Sequence, residues 1–89
     1  MDDYLLYAVE AQAVEDMAWL HEQAALLHDR AAQAYDDQRH EMTRNGELDE
    51  AVRRNDLAAR ARDLAAVERS RADQIRARHA EMTAQLAGP

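Results

Sequence analysis

Apolar residues recur at intervals of three or four along almost the whole chain. Such intervals place side chains on one face of an α-helix, so the first half of the sequence predicts a helix over about residues 3–44. At 1.5 Å per residue this helix would be about 60 Å long. Its main apolar stripe consists of Leu6, Val9, Ala13, Met17, Leu20, Ala24, Leu27, Ala31, Ala34, Tyr35 and Met42.

The strongest break in this periodicity is the dipeptide Asn45-Gly46. Both residue types tolerate a left-handed backbone and commonly close helices. Acidic residues follow at once, as the positive end of a helix dipole favours, so a second helix is predicted over about 47–86. Its apolar stripe is Leu57, Ala61, Leu64, Ala65, Ala72, Ile75, Met82 and Leu86, interrupted by Glu68 and His79.

A short turn at 45–46 between two long helices forces them to run antiparallel. The predicted fold is therefore all-α, a single helical-hairpin domain over 1–89 in which residues whose numbers add to about 91 face each other. Alanine-rich faces bury little apolar area, whereas ordering the backbone costs about 1–2 kcal/mol per residue. We therefore expect the chain to dimerise into a four-helix bundle, which buries more apolar area.

The first helix carries a second set of apolar residues on the side opposite its main stripe. Trp19 and Leu26 lie there, with Tyr4 close to the same line. One neighbouring helix covers only one face, and tryptophan is a frequent anchor of interfaces. We therefore expect this second face to point outward and Trp19, Leu26 and Tyr4 to contact another chain, either a second copy or a different helical protein.

Five polar residues fall in or beside the apolar stripes: Glu10, His21, His28, Glu68 and His79. Because unpaired buried polar groups are costly, we expect Glu68 to pair with His21 or His28, and Glu10 with His79. The alternative is a metal or small-ligand site at the core edge that uses His21, His28, Glu68 and His79. His21 and His28 are about 10.5 Å apart, however, and the Glu-x-x-His signature of metal-binding bundles is absent, so no metal site is predicted.

The net charge of −7 arises in the first half of the chain, since residues 1–45 hold ten acidic residues and three Arg, and residues 46–89 hold eight of each. The second helix has two rows of Arg beside its apolar stripe. We expect acids of the first helix to pair with them. Phosphate binding by these rows is a third hypothesis, but an acidic protein repels nucleic acid. The rows are Arg53, Arg60, Arg71 and Arg78, and Arg62, Arg69 and Arg76.

Candidate chemistry is sparse. The chain has no Cys, and no arrangement of Ser, His and Asp suggests a nucleophile. No apolar stretch is long enough to span a membrane, and no signal peptide is recognisable, so the cytoplasm is the expected compartment. The sequence thus predicts a non-enzymatic adaptor or regulator without a cofactor, which acts by helix–helix packing.

Overall fold

A computed structural model describes residues 2–88 of the chain. Two helices, α1 (Asp2–Arg44) and α2 (Leu48–Leu86), pack side by side in opposite directions. The molecule measures 67 × 20 × 11 Å over its Cα atoms, and the described residues include no strand. The prediction of an all-α antiparallel hairpin is confirmed. The helix bounds differ from the predicted ones by one residue, at the start of each helix.

The turn closes α1 with a glycine in the left-handed conformation. Gly46 has φ = +77°, its N–H donates to the carbonyl of Thr43 (3.2 Å), and the N–H of Glu47 donates to the carbonyl of Met42 (2.9 Å). This pair of hydrogen bonds is a Schellman motif, which satisfies two of the carbonyl groups left free at a helix end. Glu47 then starts α2 through its backbone, since Ala51 N–H donates to the Glu47 carbonyl (3.0 Å).

Among the residues whose burial is described, the buried core is made entirely of alanine, and no larger side chain is fully buried. The buried residues recur every seven positions, at Ala18, Ala25 and Ala32 in α1 and at Ala51, Ala58, Ala65 and Ala72 in α2, with Ala61 between them. Residues spaced seven apart lie on one side of a helix, so this repeat keeps the same side of each helix packed against the other helix. Small side chains along both lines let the two backbones approach closely, so the seam is narrow.

The main stripe of α1 marked by the sequence is not the side that meets α2. Leu6, Met17, Leu20 and Leu27 are all more than half exposed. The seam instead runs through the buried alanines and a second line of half-buried residues, also seven positions apart, of which only Tyr35 and Met42 belong to the predicted stripe. This second line is Val14, His21, His28, Tyr35 and Met42. In α2 the predicted stripe is correct at Ala61, Ala65 and Ala72, whereas Leu64, Met82 and Leu86 are exposed.

Neither helix, over residues 2–88, has the length of apolar sequence that would let it cross a membrane.

Candidate interaction surfaces

A regular row of ion pairs, here called the charge ladder, lies along one edge of the seam. Asp36 pairs with Arg62, Asp29 with Arg69, and Glu22 with Arg76, each pair one heptad from the next. The Arg76 guanidinium also reaches Glu15 at 3.3 Å. Arg62 lowers the pKa of the Asp36 carboxyl by donating a hydrogen bond to it. Glu22 and Glu15 raise the pKa of Arg76 in the same way. The ladder fixes how far the helices slide along each other.

His21 and Glu68 meet across the seam. The Nδ1 of His21 lies 2.5 Å from Oε2 of Glu68, and both side chains are largely shielded from solvent. The hydrogen bond from His21 is the main reason why the pKa of Glu68 is lowered, and it outweighs the opposing effect of burial. Arg71 donates to the other carboxylate oxygen at 3.0 Å. The carboxylate is thus held ionised among alanines.

The remaining predicted polar residues are not joined to this pair. His28 lies one heptad along the seam from His21, and Glu10 and His79 line the same open groove near the free end of the hairpin without a hydrogen bond between them. No group of three or more His, Asp or Glu residues within the described part of the chain is close enough to hold a metal ion. The ligand-site alternative therefore has only His21 and Glu68 in contact.

Two seam residues were missed by sequence reasoning. Arg39 lies one heptad after Ala32, and Arg54 one heptad before Ala61. The Nε atoms of both are shielded from solvent and lack a hydrogen-bond partner, although Arg39 lies 3.8 Å from the carboxylate of Asp36. The signal that could have found them is the alanine heptad itself, extended toward the turn.

The tryptophan face, defined by Trp19 and Leu26, points away from α2. Trp19 is 56% exposed and Leu26 is 44% exposed. They border a shallow groove whose other walls include Glu22, Arg69 and Asp73, so the charge ladder is its neighbour. Tyr4 lies apart from them, fourteen residues before Ala18 and hence on the line of the seam, and it is highly exposed.

A larger apolar surface lies on the opposite edge of the seam from the ladder. We call it the leucine face, and each of its large side chains is exposed by 45% or more: Met17, Leu20 and Leu27 from α1, and Leu64 and Val67 from α2. Met17 shares a groove with Ile75 and Arg78 of α2, which shows that this edge is continuous across the hairpin. The sequence pattern predicts Met17, Leu20, Leu27 and Leu64 as core-facing stripe residues, whereas Val67 is not marked by it.

The two Arg rows of α2 behave differently. Arg62, Arg69 and Arg76 all bind acids of α1 in the charge ladder. In the other row, Arg53 pairs with Glu50 and Arg71 with Glu68, both within α2. Most of these guanidinium groups are already neutralised, which weakens the case for phosphate binding.

No protein family model matches the chain, and no curated protein or solved structure is detectably similar to it.

Proposed function

We propose that this protein is a non-enzymatic helical interaction protein, a small adaptor or regulator whose working form is a homodimer that packs as a four-helix bundle. One observation carries the proposal. Within the part of the chain that the structure describes, only alanines are fully buried, while most leucine, methionine, valine and tryptophan side chains remain exposed.

The energetics support an assembly. Burial of apolar surface contributes about 25 cal/mol per Å², and an alanine side chain offers little area. Sixteen large apolar side chains are exposed, and contiguous exposed apolar patches are typical of interaction sites. Packing these side chains against further helices supplies the burial that the isolated hairpin lacks.

The tryptophan face is the second part of the proposal. It is apolar at Trp19 and Leu26 and charged at its rim, as at many protein interfaces. We propose that this face contacts another helical protein, that Tyr4, on the line of the seam near the free end, is a separate contact, and that the complex forms in the cytoplasm.

Sedimentation velocity and circular dichroism over a wide range of concentrations test the proposal. We expect a species of twice the 10.1 kDa chain mass, and a Tm that rises with concentration because dissociation and unfolding are coupled. A 10.1 kDa monomer whose Tm is independent of concentration would overturn it. Trp19→Ala is the matched variant. If it still sediments as a dimer, the tryptophan face is available to a different protein. If it sediments as a monomer, Trp19 belongs to the dimer interface.

A further inference from the structure

We infer that the leucine face binds a second copy of the chain, with the two α1 helices antiparallel and the two-fold axis passing beside Ala24 and Leu64. The inference rests on the proposed function and specifies which face forms the dimer and in which register. The hairpin is 67 Å long and 20 Å wide, so one side exceeds the roughly 800 Å² per partner that a stable interface uses.

The apolar positions of this side of α1 form a near-palindrome centred on Ala24. Leu20 and Leu27 lie at similar distances on either side of the centre, followed by Met17 and Ala31, and then by Ala13 and Ala34. A two-fold axis perpendicular to a helix pairs each residue with the one at the mirrored position. In an antiparallel pair Leu20 therefore meets Leu27 of the second copy, and Ala13 meets Ala34.

The hairpin seam already shows an antiparallel packing of this kind. His21 contacts Glu68 across the seam, and buried alanines recur every seven residues in both helices. Two copies of α1 can pack in the same antiparallel way if the numbers of facing residues add to about 48. Ala24 then meets Ala24 of the second copy, and Leu20 meets Leu27. The pairing of His21 with Glu68 places Leu64 at the level of Ala24 and Ala25 along the seam, so we expect α2 to meet its own copy about the same axis.

Charge complementarity along α1 favours a second copy over an arbitrary apolar partner. Asp16 and Arg30 border this stripe of α1, and in the inferred register Asp16 of each chain meets Arg30 of the other. Within residues 2–88, neither residue forms an ion pair. Asp16 accepts only a hydrogen bond from Gln12, at 2.9 Å. A parallel arrangement would place Asp16 against Asp16, which is repulsive.

Cysteine cross-linking tests the register, since the chain has no Cys of its own. Ala24→Cys lies on the axis, so we expect oxidation to give a disulfide-linked dimer. Ala13→Cys and Ala34→Cys are about 31 Å apart along the helix. Each alone should stay unlinked, while an equimolar mixture of the two should cross-link. Self-linking of Ala13→Cys, or no linking of Ala24→Cys in a sample that sediments as a dimer, overturns the register but leaves the proposed function standing.

Charge exchange gives a second test that does not depend on disulfide formation. Asp16→Arg creates two repulsive contacts per dimer, and we expect the Kd for dimerisation to rise roughly tenfold. Adding Arg30→Asp restores the pairs with reversed polarity and should return the Kd to near its original value. Weakening without rescue would contradict the inferred contacts.

Paired substitutions on the two faces complete the test. Leu20→Gln with Leu27→Gln should convert the dimer to monomer, whereas Trp19→Gln with Leu26→Gln should leave it a dimer. The reverse result assigns the dimer to the tryptophan face and overturns the inference alone. A wild-type chain that is monomeric throughout refutes both the inference and the proposed function.

Discussion

At the residue scale, Glu68 shows how one polar side chain is accommodated among alanines. Its carboxylate accepts hydrogen bonds from His21 and Arg71, and the first of these lowers its pKa from the ordinary 4.5. A carboxyl whose pKa is lower in the folded chain stabilises the fold above its ordinary pKa, and this contribution is lost as the pH falls through the folded value.

We therefore expect the hairpin to lose stability as the pH falls below about 4.5, and the Glu68→Gln variant to lose less over the same interval. Urea unfolding followed by circular dichroism between pH 7 and pH 3 measures this difference. Asp63→Asn, an exposed carboxylate of α2, is the matched control and should behave like wild type. If Glu68→Gln does not change the pH dependence, other carboxyls dominate it, and Asp36, whose pKa Arg62 lowers, is the first to examine.

At the scale of elements, the two helices are held by complementary lines of small residues. Ala25 in α1 and Ala65 in α2 are both fully buried, so a larger side chain at either position has to be accommodated between the two helices. The charge ladder lies at the edge of this seam, where solvent limits its contribution, so it favours one register more than it adds stability.

Ala25→Leu should lower the free energy of unfolding by about 1–3 kcal/mol, because the added atoms must push the helices apart. Leucine and alanine have similar helix propensities, so the loss would reflect packing. Ala59→Leu, at an exposed position of α2, is the matched control and should have little effect. Urea denaturation at one fixed protein concentration compares the two. Equal stabilities would show that the seam has room for a larger residue.

At the scale of the whole molecule, one glycine decides whether the chain folds back on itself. Gly46 adopts φ = +77°, and a Cβ added there would meet no atom within 4 Å. A side chain at position 46 therefore destabilises the turn only through the unfavourable left-handed backbone conformation, not through a steric clash. Without a left-handed residue at the turn, α1 and α2 can continue as one straight helix. Each α1 would then pack against α2 of another chain, as in a domain-swapped dimer.

Gly46→Ala should destabilise the hairpin by about 1–2 kcal/mol, the cost of a left-handed conformation for a residue with a Cβ. Gly46→Asn should lose less, because asparagine tolerates this region better. Chemical unfolding gives the ranking, and small-angle X-ray scattering reports whether the 67 Å length of the hairpin is kept. Equal stabilities of the Ala and Asn variants would mean that the turn relaxes to another conformation.

Helix content, the break at Asn45-Gly46 and the antiparallel direction could all be predicted because each depends on local chemistry. Intervals of three and four fix the helices, a left-handed glycine closes the first, and a short turn leaves only one direction for the second. The turn also places Glu68 opposite the stretch that holds His21 and His28, and the structure decides that the contact is with His21.

The choice of face on α1 came only from the tertiary structure. Two lines repeat along this helix, one with Leu20 and Leu27 and one with Ala18 and Ala25, and the hydrophobicity of α1 alone favours the leucines. The alanine line is buried because α2 offers a matching line at Ala58 and Ala65, and two small-residue lines allow the closest approach of the backbones. Such complementarity belongs to the pair of helices, so a stripe read from one helix cannot reveal it.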